Sequence, residues 1–471
     1  MRLVIEARLE GKDVEHARDP ITLAVIGRHD DVLEEFGLSL AEGQELLAAT
    51  QSALVKSQAS VWMSTQDYCH DCYTPLRKKD SRTIVMRTVF GKVTVNSPRY
   101  WSCDCEKTPH WQAHTISPLA QALPKRVTPE LEYLQTKWAV HLPYAAATAL
   151  LKEILPIQNC ISASGTRHRI RTTSDEIDIR VEHDSTRVSA MNETNQPKES
   201  NQVSAVSVDS AWLKHCRPRR GYGQQVNVAA GRATLADGKT RVYAYVGKQV
   251  RSGATRLDHF LGKCGVRWDE RVTVISDGAG EFTTAVEGSQ LARGRILDWF
   301  HIAMRFRAAE NSAMGCRQLA EFDWDWVERE IRHAKWLVWH GKGRQAVSRL
   351  QTLSAKLEEA GLEHSTLWWN VRKACGYVRG NSQYLVNYGA RYRKGLPISS
   401  AIAESAVNQV VSFRMAKKRQ MRWSDAGAHA IAQVRAAELN RELSPRSFGY
   451  STQVRPITAY RDWYGKMALA A

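Results

Sequence analysis

The chain has 471 residues, enough for two to four domains with apolar cores of their own. Its 66 lysines and arginines exceed its 49 acidic residues. The resulting charge of +17 suits a polyanionic partner, since each neutralised phosphate releases condensed counterions, with a merely soluble basic surface as the alternative. No stretch approaches the ~20 apolar residues of a membrane span, and the alternating start, Met1-Arg-Leu-Val-Ile-Glu-Ala-Arg8, lacks a signal peptide's apolar run. A cytoplasmic protein is expected, with its nine cysteines as thiols or metal ligands.

Residues 1–62 combine that first strand with a helical stretch from Ala41 to Lys56. Dimerisation, DNA contact and simple packing all remain open for it. A zinc ribbon is expected over 63–115. Cys69-His-Asp-Cys72 and Cys103-Asp-Cys105 supply four thiolates in two close pairs, which suits tetrahedral Zn²⁺. Between them, Thr83–Phe90, a turn at Gly91-Lys92 and Val93–Asn96 read as a hairpin that draws the pairs together. The second pair is Cys-x-Cys rather than Cys-x-x-Cys, and four non-ligating thiols are the alternative.

Residues 116–182 read as a helical, helix-turn-helix DNA-binding domain. Thr128-Pro-Glu opens one helix, Tyr144–Leu155 forms a second, and Ile161-Ser-Ala-Ser-Gly165-Thr166-Arg-His-Arg169 starts a third with small polar residues and arginines. Ser164, Thr166, Arg167 and Arg169 are the candidate DNA contacts. Residues 183–202 are polar and almost free of apolar side chains, and read as a linker.

The catalytic segment is expected over 203–301 together with 398–443. Val203–Val208 reads as a strand ending at Asp209. Two further strands, Gln225–Ala230 and Arg241–Val246, are joined by the hairpin signal Asp237-Gly238. An amphipathic helix, Arg256–Lys263, precedes Val272–Ile275, a strand that ends at Ser276-Asp277-Gly278. Ala279–Glu287 reads as helix, and Arg295–Leu297 as a strand ending at Asp298, with His301 three residues on. Three antiparallel strands, helix, strand, helix, strand is an order similar to the ribonuclease-H fold. The expected class is thus α/β multidomain, a ribonuclease-H-like mixed sheet behind a zinc ribbon and a helix-turn-helix segment.

Residues 302–397 read as an all-α insertion. Val327, Ile331, Ala334 and Val338 recur at helical spacing, as do Ala346, Leu350, Leu353 and Leu357. Its six tryptophans, at 324, 326, 336, 339, 368 and 369, are expected in the core, with base stacking as the alternative. Beyond it a helix carries Glu404 and Asn408 one turn apart. A basic run follows, Arg414, Lys417, Lys418, Arg419 and Arg422, which suits a DNA backbone. Ser424–Leu443 looks like a packing helix, and 444–471 is a tail.

Val-Asp209-Ser, Ile-Ser-Asp277-Gly, Leu-Asp298-Trp-Phe-His301 and Ala-Glu404-Ser-Ala-Val-Asn408-Gln, followed by Arg422-Trp-Ser, together resemble a bacterial insertion-sequence transposase. The Asp-x-x-His element is similar to that of Mutator-like enzymes, close to the Kra-type group, and the resemblance covers roughly residues 65–443. It implies a DDE catalytic domain with Asp209, Asp277 and Glu404 as the Mg²⁺-binding triad (Mn²⁺ substituting), and a nucleoid-associated enzyme of DNA recombination. Asp209 is assigned as the bridging ligand, with Asp277 holding one ion and Glu404 the other. Two hard cations bridging an in-line phosphodiester displacement demand oxygen ligands of this kind. His301 contacts the scissile phosphate or holds the strand, with Asp298 in support; a structural Asp–His pair is the alternative. Trp299 and Trp212 are candidates to stack on a flanking base, or to pack in the core. The implied partners are the element's inverted repeats and a target site in double-stranded DNA, bound by a homodimer or higher homo-oligomer. A structure-specific or resolvase-like nuclease, and a catalytically dead zinc-ribbon regulator, are the competing readings.

Overall fold

The computed structural model describes all residues except 9–18, 29–35, 107–113, 191–202, 204, 217–224, 236, 268–269, 279, 318–321, 400–405, 416–420 and 450–471. The chain is mixed α/β and divides into two compact units, Met1–Arg169 with Leu443–Ala471, and Ile170–Glu442. No helix of the described residues is long and apolar enough to cross a membrane.

In the first unit, β1 (Arg2–Ala7) pairs antiparallel with β2 (Ile21–Gly27). Helix α1 (Leu40–Met63) follows, opened by a capping box in which Ser39 and Glu42 satisfy each other's backbone amides. Arg28 binds the same Glu42 carboxylate at 2.7 Å. The long hairpin β3 (Lys78–Thr88) and β4 (Gly91–Trp101) is joined by a two-residue turn at Val89-Phe90, with β5 (Thr115–Ile116) on its far side. The turn lies two residues earlier than the sequence suggests. Gly91 takes a left-handed φ of 108° and starts the return strand, so it acts as the turn's exit rather than its apex. Met63, Ile84, Val93, Val95, Tyr100 and Leu119 form the core between α1, this hairpin and α2 (Pro118–Ala122).

Helices α3 (Pro129–Ala139), α4 (Tyr144–Ile154) and the first turns of α5 (Ala163–Ala190) make the three-helix cluster that the sequence pattern suggests. One buried knot ties all three. Thr166 on α5 meets Thr148 on α4 at 3.1 Å and accepts from Gln135 on α3 at 3.3 Å. The expected linker at 183–202 needs correction, because α5 continues to Ala190; the remainder of that stretch lies outside the described residues. Polarity misled there. Ile177 and the buried Ile170, Thr173, Ser174 and Val181 pack this part of the helix within the second unit.

The second unit is built on a six-stranded mixed sheet. Strands β6 (Ala205–His215), β7 (Gln225–Thr234) and β8 (Thr240–Tyr245) run antiparallel, with Asp237 and Gly238 (φ 77°) in the β7–β8 turn. Helix α6 (Gly253–Lys263) leads to β9 (Val272–Ser276), and α7 (Gly280–Glu287) to β10 (Ala292–Leu297). The strand order is β10-β9-β6-β7-β8, with β9 and β10 parallel to β6. Leu257, Phe260 and Leu261 of α6 join Phe282 and Val286 of α7 over Val206, Val208 and Val274 of the sheet.

Next come α8 (Trp299–Cys316), α9 (Trp324–Trp339), α10 (Gly343–Glu359), α11 (Thr366–Gly380) and α12 (Tyr388–Arg393). They share one core, in which Ile331, Val338, Leu350, Leu357 and Val371 are fully buried, as their spacing requires. The chain then returns through a π-helical turn, Asn408–Ser412, to β11 (Arg422–Trp423), which pairs parallel with the far end of β6. Helix α13 (Asp425–Leu439) closes the edge strand β8: His429 Nδ1 accepts from Val246 N, and Asn440 bonds both N and O of Val242. An exposed edge is thereby paired by side chains.

Candidate active site and metal centre

Strand register assembles the acidic cluster. Val208 lies opposite Ser276 on β9, and Ser276 opposite Leu297 on β10. The next residue of each strand is therefore an aspartate, and Asp209, Asp277 and Asp298 stand level across three adjacent strands. β6 does not end at Asp209, as the sequence suggests, but runs on to His215. What ends at Val208 is its pairing with β9; β11 takes up that edge only at Lys214. Asp209 thus sits at a gap between two strand neighbours.

Asp209 is half-buried and accepts from Ser210 N at 2.7 Å. Burial pushes its carboxyl above the ordinary value, and the charges of Asp277 and Asp298 push it the same way, against the Ser210 amide and His301. Asp298 is wholly buried and accepts from Phe300 N at 2.8 Å, capping α8. Its Oδ2 lies 3.7 Å from His301 Nε2. The Asp-x-x-His spacing is thus a cap plus one helical turn, which leaves the half-exposed imidazole beside the cluster. Gly278 is forced by crowding, since a Cβ there would meet Tyr377 and Asn381 at 2.9 Å.

Three further groups at this site escaped the sequence reading. Arg295, on β10, is buried, binds Thr283 and Asn381, and lies 4.2 Å over the Tyr384 ring; burial lowers its pKa, offset in part by Tyr384 and Asp277. Tyr377, on α11, is pushed up to about 12, first by burial, with Arg305 opposing and Asp277 and Asp298 adding to it. Arg305 stacks 3.9 Å over that ring and is exposed one turn beyond His301. That i, i+4 spacing from His301 was the one signal available in the sequence.

Other expected contacts fall elsewhere. Trp299 packs within 4.7 Å of Trp339 and 5.1 Å of Tyr388, centroid to centroid, so it belongs to the helical core and not to a base. Trp212 is exposed, but three residues along a strand from Asp209 it projects from the opposite face. Arg414 is buried against Trp423, 5.5 Å from its ring, and is no backbone contact. Arg422 is exposed. Glu404, Lys417, Lys418 and Arg419 lie outside the described residues. In the first unit, Thr166 is buried in its knot and Arg169 binds the buried Glu132 at 2.6 Å, which leaves Ser164 and Arg167 exposed on α5.

The four cysteines of the first unit converge. A tight turn, with Tyr73 N bonded to Cys69 O and Cys69 N to Thr74 O, carries Cys69 and Cys72; Cys103 and Cys105 follow β4. Cys69 lies 3.5 Å from Cys105 and Cys72 3.4 Å from Cys103, sulfur to sulfur, and all four sulfurs fall within 4.8 Å. Tetrahedral thiolates at ~2.3 Å from zinc stand roughly 3.8 Å apart, so the cluster suits a metal such as zinc. Hydrogen bonding with Thr74 brings the Cys72 thiol down to about 6, favouring its thiolate, while the neighbouring sulfurs push Cys105 up. The other five cysteines are scattered.

No known protein family matches the chain, and no curated protein matches it in sequence.

Proposed function

We propose that this protein is a DNA transposase with a ribonuclease-H-like catalytic domain, which cleaves the ends of its own insertion sequence and joins the 3′-hydroxyls to target DNA. The observation that carries this reading is the level placement of Asp209, Asp277 and Asp298 at adjacent strands. The sheet order β10-β9-β6-β7-β8 supports it, as do the charge of +17 and the cysteine cluster.

The donor set fits divalent cations. Burial, with the charges of Asp277 and Asp298 added to it, raises the proton affinity of the Asp209 carboxylate, and a hard cation held there would relieve it. Asp209 and Asp277 would hold Mg²⁺ together with Glu404, which follows Ile398 by six residues; Ile398 O accepts from Trp299 N at 3.1 Å, beside the Asp298 cap. When bound, such ions supply Lewis-acid stabilisation of the attacking and leaving oxygens. Asp298 does different work: buried and capping α8, it positions His301 toward the substrate phosphate. Arg305, stacked on Tyr377, adds a cation to the same rim. Exposed Arg167 and Ser164 would meet the inverted repeats.

The test is Mg²⁺-dependent cleavage and joining of labelled element-end DNA by the wild type, Asp277→Ala and Glu404→Ala. Joined products lost in both variants are expected. Cleavage without joining would move the reading to a nuclease, and tight binding with no chemistry in any protein to a regulator.

A further inference from the structure

The turn that presents Asp277 is held from three sides by groups distant in the sequence. Upstream, β9 is paired with β10 and with β6 as far as Ser276. Downstream, Arg295 of β10 donates to Thr283 on α7, the helix that follows the turn. Above it lie Tyr377 and Asn381, one helical turn apart at the end of α11. They close on Gly278 so tightly that a Cβ there would stand 2.9 Å from each. Asn381 also ties the others together: its Oδ1 accepts from Arg295 at 3.2 Å, and its Nδ2 donates to Tyr377 O at 2.9 Å. The charge of Asp277 acts on both Arg295 and Tyr377, which places them close to that carboxylate. The same helical segment holds the neighbouring strand end. The fully buried Tyr388 donates its hydroxyl to Leu297 O at 2.7 Å, and Asp298 N donates to Ser276 O at 2.9 Å.

We propose that Arg295, Tyr377 and Asn381 are positioning residues for the acidic cluster. By clamping the Asp277–Gly278 turn they fix the Asp277 carboxylate, and with it the affinity for a divalent cation. A cation shared by carboxylates from separate strands binds best when their oxygens are already in place. Groups behind a metal ligand commonly change metal affinity by roughly 10- to 100-fold when removed. The guanidinium fork matters here, because a lysine ammonium at 295 would keep the charge but lose the planar reach to Thr283 and Asn381 together. The inference rests on the reading of the cluster as a cation site.

The test measures Mn²⁺ binding to the full-length protein from the paramagnetic resonance of the free ion. The wild type is compared with Asp277→Ala, Asn381→Ala, Arg295→Lys and Asn370→Ala. Asn370 lies in the first half of α11 and bonds Ala308 O and Ser312 Oγ of α8 at 3.3 and 3.2 Å, so its loss loosens the helices without touching the turn. Asn381→Ala and Arg295→Lys should each raise the Mn²⁺ dissociation constant about tenfold or more. The number of ions bound should stay the same, which a misfolded chain could not show. Asn370→Ala should bind as the wild type does, and an equal loss there would overturn the inference as general loosening. Wild-type affinity in both positioning variants overturns it while the loss in Asp277→Ala keeps the cation site. A wild type that binds no Mn²⁺, or binding indifferent to Asp277→Ala, removes the cation site itself and the inference with it.

Discussion

At Asp209 a half-buried carboxylate faces two others, and removing its charge should help the metal-free fold. Because its folded pKa lies above the ordinary value, the native state takes up a proton before the unfolded chain does. Stability therefore falls as pH rises from the ordinary carboxylate range through the raised value. Asp209→Asn should abolish that loss and stabilise the metal-free protein near neutral pH by roughly 0.5–1 kcal/mol. Added Mg²⁺ should reverse the order, since ligand binding stabilises only the wild type. Melting curves in chelator and in Mg²⁺ measure both effects, and a wild type indifferent to Mg²⁺ would count against the site. The two arginines at the start of α5 also separate at this scale. Arg169→Ala removes the 2.6 Å partner of Glu132, which is 2% exposed and keeps Lys125 at 3.8 Å, and should cost about 2–4 kcal/mol of stability in the first unit. Arg167→Ala touches only solvent and should melt as the wild type does.

Within the second unit, a polar cluster holds the part of helix α5 that follows Ile170. Asp178 binds Arg256, lies 3.2 Å from His429 Nε2 and accepts from Gln433 at 3.0 Å. Burial raises the Asp178 carboxyl, but His429 and Arg256 outweigh it and hold the pKa below the ordinary value. The sign is then opposite to that of Asp209. The cluster's contribution is complete above the ordinary carboxylate pKa and is lost as pH falls through the lowered one. Asp178→Asn should cost about 2 kcal/mol at neutral pH and flatten the acid limb of a stability profile; an unaltered limb would show that the cluster does not anchor α5. Nothing in the local sequence announces this anchor, because its members lie some 80 and 250 residues apart in the chain. That is why the end of α5 read as linker. The hairpin at Asp237-Gly238 was legible for the converse reason, since its turn is decided by two neighbouring residues. The cysteine turn is equally local, and Cys103→Ser should lose bound zinc in metal analysis and lower the melting temperature of the first unit.

Across the whole molecule, the order of strands was readable because each apolar run is short and ends at a recognisable aspartate or turn. The point where β6 loses its partner was not readable, because alternation continues through Ala211 and Leu213 while pairing depends on where β9 stops. Tyr377 was missed because α11, far along the chain, brings it to the acidic cluster, and Arg295 because its partners Asn381 and Tyr384 are equally distant. Charge is the one global property the sequence states outright, and it yields a separable prediction. If the excess of +17 serves a phosphate backbone, the logarithm of the affinity for duplex DNA should fall linearly with the logarithm of salt, by about 0.9 per phosphate neutralised. Arg167→Ala should lower that slope by about one contact across all duplex sequences, whereas Asp277→Ala, which removes an anion from the acidic cluster, should leave the slope unchanged or let DNA bind slightly tighter without metal. Fluorescence anisotropy between 50 and 300 mM salt, roughly the range where counterion release dominates, measures all three proteins. An affinity insensitive to salt would mean that the basic surface faces solvent alone, and the polyanion reading would fall with it even if the acidic cluster binds metal.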